Sequence, residues 1–209
     1  MGMDERPVII LGGGGHAAVV ADTLRNCGEK IAGFTAPEEP KIDTIHGVGY
    51  LGDDAAVLSN GPAGARLALG MGSVRPDDKR NTVYGKFKAA GFDFVTVIHP
   101  AAVVAPDVRA GEGCQIMAGA IVQTLAQIGT GTIVNTGAMV DHHCRIGDFV
   151  HIAPGATLSG GISVGDGAMI GAGATVIQNV VIGTSAFVTA GVTVLEDVPD
   201  GVRTGSKTP

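Results

Sequence analysis

The chain has 209 residues, room for one large or two small domains. Its net charge of −6 and pI of about 5.4 argue against a nucleic-acid or anionic-membrane surface. Mean hydropathy is +0.32, yet no apolar run reaches membrane-spanning length, so no membrane helix is expected.

The first residues, MGMDERPVIILGGGGHA, carry no secretory signal, and Met3 is expected to be the natural start behind an added Met1-Gly2. Residues 7–12 (PVIILG) read as a buried strand, followed by GGGGH (12–16) and a helix near 16–27. Residues 30–34 (KIAGF) read as a second strand and 67–72 (LALGMG) as a third. A helix within 76–90 ends before GFDF. Strands alternating with helices predict a small α/β (Rossmann-like) unit with a parallel sheet over residues 1–97. The glycine turn is not GxGxxG, and no acidic residue closes KIAGF. Phosphate contact and close backbone packing therefore both remain open for it. Cys27, Cys114 and Cys144 are unevenly placed without a CxxC, which predicts a cytoplasmic protein with reduced, buried thiols.

From residue 98 to residue 199 the chain repeats every six residues. The first position runs Ile98, Val104, Ala110, Ile116, Val122 and on to Val194; the fifth is small or β-branched, as at Ala138, Cys144, Val150 and Ala156. A hexad is a short strand plus a turn, and three hexads close one triangular coil. The 17 hexads predict a parallel β-helix of five to six coils, with residues 200–209 as a tail. The aliphatic first position fills the same interior slot in every coil, and glycine serves the corners. Aromatics are scarce because a ring would not fit. His99-Pro100 is expected to shape the start of the first coil.

Within the hexads, His142, His143 and His151 stand at outward or corner positions of neighbouring coils. They form either an active cluster or solvated corner histidines. Adjacent residues on an extended segment point to opposite sides, which makes His142 and His143 a poor metal pair, so no metal is expected. Cys144 occupies an interior slot and is not expected to be a nucleophile.

Four motifs, IILGGGGHA (9–17), LGMGSVR (69–75), VIHPAA (97–102) and VNTGAMVDHHCRIGDFVHIAPGATLSG (134–160), make the chain resemble the hexapeptide-repeat sugar acetyltransferases. That family includes sialic acid O-acetyltransferases and nucleotide-4-amino-sugar N-acetyltransferases. The resemblance is nearest to the branch acting on C4 of nucleotide-linked amino sugars, GDP-perosamine among them. It implies a left-handed β-helix, whereas the general rule for parallel crossovers would favour the right hand.

The resemblance also implies the site. Histidine has the pKa to take a proton near neutrality, and the family match makes His142 the general base. His143 stands where relatives carry a glutamate that assists the base; Asp141 or Asp148 is expected to substitute. Asn135 matches an asparagine beside the base, with an ordinary turn asparagine as the alternative. His151, Gly160, Ala172 and Ala190 match acetyl-CoA contacts, Gly160 as a backbone donor to the thioester carbonyl. Gly14, Gly15 and His16 match contacts to the nucleotide-sugar phosphates, and Ala36, Met71, Gly72, Ser73 and Arg75 complete that pocket. Arg75 is read as either near phosphate or in a structural ion pair. The Asp-Asp pair that relatives carry after the second strand is replaced by Thr35-Ala36-Pro37, which favours guanine over uracil.

The implied activity is acetyl-CoA-dependent N-acetylation of a GDP- or UDP-linked 4-amino-4,6-dideoxysugar, in O-antigen (lipopolysaccharide) biosynthesis. The alternatives are sialic-acid-type O-acetylation and a non-catalytic β-helix scaffold. A homotrimer with sites between subunits is expected. The ending GVRTGSKTP lacks the family's longer tail, so the CoA adenine end should be held differently or loosely.

Overall fold

The computed structural model describes residues 5–40 and 45–205, so the expectations for Met1-Gly2 and for the last four residues lie outside the described part. The described chain forms two compact units. The first runs up to Gly72 and resumes at Lys79–Val97; the second takes Ser73–Asp78 and everything described from Ile98 on. A single cut between residues 97 and 98 therefore misses one exchange, since the segment after LGMG belongs with the second unit.

In the first unit, β1 (Val8–Leu11), β2 (Ile31–Thr35) and β3 (Arg66–Leu69) form a parallel sheet in the order β2-β1-β3. Helix α1 (Gly15–Asn26) buries Ala17, Val20, Ala21 and Leu24, one face at the spacing of a helical stripe, against the sheet. Each such aliphatic burial contributes about 1.5–3 kcal/mol. Helix α3 (Lys79–Ala89) inserts Phe87 edge-on against Phe92. A further element, not expected from the sequence, is α2 (Asp54–Asn60), a two-turn helix capped by Asp53, whose side chain accepts from the amides of Ala55 and Ala56.

In the second unit, two-residue strands recur at every hexad and stack into three parallel sheets, giving a left-handed β-helix of about six turns. The first face holds Gln115–Ile116, Ile133–Val134, His151–Ile152, Met169–Ile170 and Phe187–Val188. The second holds Val103–Val104, Ile121–Val122, Met139–Val140, Thr157–Leu158, Thr175–Val176 and Thr193–Val194. The third holds Arg109–Ala110, Gln127–Ile128, Arg145–Ile146, Ser163–Val164 and Val181–Ile182. Residues one coil apart face each other, as Ile133 does His151 and Val134 does Ile152.

The hexad register holds. Every first position from Ile116 to Val194 is buried, and so is every fifth from Cys114 to Ala186. Ile98, Val104 and Ala110 are less covered, because the first coil has a stacked neighbour on one side only. Thr132, a hydroxyl in the interior slot, donates to the Gly147 carbonyl and accepts from the Val150 amide, which removes the cost of burying it. The fourth hexad position has positive φ at every corner from residue 113 to residue 191. Glycine fills nine of these places; Leu125, His143, Phe149, Asn179 and Ser185 fill the rest. Among the described residues no helix is long and apolar enough to cross a membrane.

Candidate active site

His142 and His143 sit on the turn between the second and third faces, not on an extended segment. His143 has φ of +60°. That left-handed residue folds its ring back toward its neighbour instead of away from it. The rings meet edge to face with centroids 5.2 Å apart, and the two Nδ1 atoms lie 3.0 Å apart in a hydrogen bond. The expectation that the two side chains diverge is thus overturned by the turn conformation. Both residues are exposed in the single chain.

The two aspartates expected to assist the base are otherwise engaged. Asp141 accepts from the His142 amide at 2.7 Å, and Asp148 accepts from the Thr130 amide at 2.7 Å, each capping a turn. A different carboxylate lies near the pair. Asp107, two coils earlier on the same corner, accepts from the Thr124 hydroxyl and the Leu125 amide. The Thr124 hydrogen bond holds its carboxyl below the usual range, and the positive charge available to His143 acts in the same direction.

Gly160 is the next residue on this corner. A Cβ placed on it would stand 2.6 Å from His142 Nε2 and closer still to Cε1. Its glycine identity therefore makes room for the imidazole. No acceptor among the described residues takes the backbone N–H of Gly160, Ala172 or Ala190. At comparable corners Asp141 and Asp148 cap the equivalent amide. Gly160→Ala is expected to push the His142 ring aside and lower turnover roughly 10²-fold, the usual size of a small misplacement of a reacting group, with the thermal midpoint unchanged. Wild-type turnover in that variant would mean the ring does not work from this position.

Asn135 and His151 lie on the first face and its following corner, so the second face separates them from His142 within one chain. The three histidines do not form one cluster there. His151 is 6% exposed, buried rather than outward. Its Nδ1 lies 2.9 Å from the Ser73 carbonyl and its Nε2 3.1 Å from Asn135 Nδ2. In this arrangement Nδ1 donates to the Ser73 carbonyl and Nε2 accepts from the Asn135 amide. Asn135 also caps the Thr136 amide through its Oδ1, so the turn role and the histidine contact coexist. Among the described residues no group of three or more His, Cys, Asp or Glu is arranged to hold a metal. Cys144 is interior; burial pushes its thiol up from the ordinary value, and its Sγ donates to the Ser159 carbonyl. Cys27, by contrast, is exposed, so only two of the three thiols are buried.

In the first unit a cavity of about 600 Å³ opens at the carboxyl ends of the strands, where the order β2-β1-β3 sends the chain to opposite sides of β1. Leu11 and Gly12 line it after β1, Thr35, Ala36 and Pro37 after β2, and Met71 after β3, with Lys79 and Lys86 from α3. Asp53 and Asp54 also line it. Both come from the start of α2, where Asp54 accepts from the buried Thr35 hydroxyl at 2.9 Å. The signal was present as an aspartate before the apolar run AAVL, the pattern of a helix start.

The glycine turn divides by position. A Cβ on Gly13 would strike the Phe34 ring, so that glycine serves packing. Cβ atoms on Gly14 and Gly15 would meet nothing. Gly14 caps α1, whose first turn carries no acidic residue and no side-chain cap. His16 packs against Gly72 in the same unit. Arg75 is exposed and forms no ion pair among the described residues.

Residues 7–83 match the family model of the PglD N-terminal domain. PerB from Caulobacter crescentus, solved with CoA and GDP-perosamine, is 41% identical over 97% of this chain and 95% of its own, with a TM-score of 0.86. A histidine-to-alanine variant of GDP-perosamine N-acetyltransferase from the same organism, with the same ligands, is 40% identical over the same shares, with a TM-score of 0.87. The chain belongs to the hexapeptide-repeat sugar N-acetyltransferases. Another member, the acetyltransferase domain of PglB from Neisseria gonorrhoeae, solved with acetyl coenzyme A, is 32% identical over 95% of both chains, with a TM-score of 0.86. No curated protein matches the chain.

Proposed function

We propose that this family member transfers the acetyl group of acetyl-CoA to the C4 amine of a nucleotide-linked 4-amino-4,6-dideoxysugar, GDP-perosamine in preference to UDP-sugars. The carrying observation is 41% identity over nearly the whole chain with an enzyme solved around CoA and GDP-perosamine. The amine nitrogen attacks the thioester carbonyl carbon, the C–S bond breaks, and coenzyme A leaves as its thiolate. The nitrogen gives one proton to His142 Nε2, and that proton ends on the thiol. Gly160 donates its uncommitted N–H to the carbonyl oxygen as charge gathers there. Ala172 and Ala190 approach the pantetheine arm through their backbones. The diphosphate meets the amides after Gly14 and Gly15 with His16 beside it. Ala36, Met71 and Gly72 border the nucleoside, Asp54 accepts from base N–H donors, and Ser73 and Arg75 complete the substrate contacts.

The functional unit in this reading is a cytoplasmic homotrimer. On the second face Val103 and Met139 are 64% and 40% exposed, in one outward row with Ile121. An apolar row on a flat face is costly to leave wet and suits a threefold assembly. A neighbouring copy would also bring the Asn135–His151 pair of one chain against the His142 corner of another, which no single chain does. Light scattering should give about 60 kDa, three chains of 20.9 kDa; a clean monomer at micromolar concentration would contradict a shared site.

The test of the function is a panel of GDP- and UDP-linked amino sugars and sialic acid, each with acetyl-CoA and a thiol-release readout. GDP-perosamine should turn over fastest. Absence of turnover across the panel together with absence of CoA binding would leave a scaffold protein.

A further inference from the structure

We propose that His143 is a positioning residue that sets the tautomer of His142 and, by its own protonation, switches the base off. This rests on the reading of His142 as the base.

An Nδ1 to Nδ1 distance of 3.0 Å requires one proton between the rings. If His142 donates it, His142 Nε2 is left with its lone pair, on the ring edge that lies against Gly160. If His143 donates it, neutral His142 must carry its proton at Nε2 and cannot act as a base. His143 therefore serves as an acceptor, the part a carboxylate would otherwise take; Asp141 directs its Oδ1 to the His142 amide and Asp148, on the following corner, to the Thr130 amide. As His142 becomes an imidazolium the bond turns charge-assisted and strengthens. Protonation of His143 reverses the bond and silences Nε2. The charged groups facing the pair are Asp141 on its own turn and Asp107 from the coil stack below.

The backbone bears on the same conclusion. His143 occupies a corner place that glycine fills at nine of fourteen corners, at a φ that L side chains adopt less readily than glycine. Its replacement by glycine therefore suits the turn and isolates what the imidazole does.

His143→Gly separates the two roles. It relieves the backbone, so the thermal midpoint should stay or rise. Turnover should nevertheless fall roughly 10- to 100-fold, the size of one hydrogen bond to a charged group, with KM for both substrates nearly unchanged. The acid limb of the pH–rate profile should move to lower pH. His143→Glu should restore turnover and move the limb to higher pH. Nitrogen-15 NMR of His142 should show Nδ1–H in the wild type above the pair's titration and lose that preference in His143→Gly. Wild-type turnover and an unchanged His142 tautomer in His143→Gly would overturn the proposal. If instead His142→Asn alone keeps full activity, the base reading fails, while the tautomer measurement still decides what His143 does.

Discussion

His142→Asn is expected to keep the fold and the binding of CoA and to lower kcat by roughly 10² to 10⁴, the usual contribution of a general base. The asparagine keeps a polar group at the exposed corner, so nothing in the core is disturbed. Wild-type kcat/KM should rise with pH through the titration of the histidine pair, and the variant should lack that limb. His151→Ala should behave differently. It removes a buried ring that ties Ser73 to Asn135, so stability and acetyl-CoA use should suffer before the pH profile does. A His142→Asn enzyme within threefold of wild type would detach the base from this residue.

The largest stability effect is expected from a charge in the solenoid interior. Ile146 and Ile170 are 4% and 0% exposed, each stacked between the equivalent residues of the coils above and below. Replacement of either by aspartate buries a carboxylate with no partner. The desolvation cost is several kcal/mol, before the loss of aliphatic packing is added. Cooperative unfolding should shift to much lower temperature or denaturant, or the protein should fail to accumulate. Unchanged thermal stability in both variants would contradict the hexad register.

That register was legible in the sequence because one slot imposes one chemistry on every sixth residue. A side chain that fails to fit disturbs two neighbouring coils, so the pattern survives from Ile116 to Val194 without interruption. The strand and helix order of the first unit was legible for a similar reason, since β1 and α1 bury long apolar stripes. What stayed hidden depends on single torsions and on contacts far apart in sequence. Helix α2 is too short for a periodic signal, and its only mark is the Asp53 cap. The approach of His142 and His143 follows from one positive φ, which no periodicity reveals. The link from Ser73 through His151 to Asn135 spans 78 and 16 residues along the chain. The Asp53-Asp54 pair reaches its cavity from a place in the sequence where no strand precedes it. Separation of Asn135 from His142 by a whole face could have been read from the hexad count alone, because 135 and 142 fall after different faces of one coil.

The most direct measurement incubates the purified protein with acetyl-CoA and GDP-perosamine and treats the acetylated product with hydroxylamine before mass spectrometry. An amide on the C4 nitrogen survives that treatment, and the account predicts one acetyl group per sugar, retained in full. An acetyl group removed by hydroxylamine would place it on oxygen, and no acetylated sugar at all with intact acetyl-CoA would contradict the account.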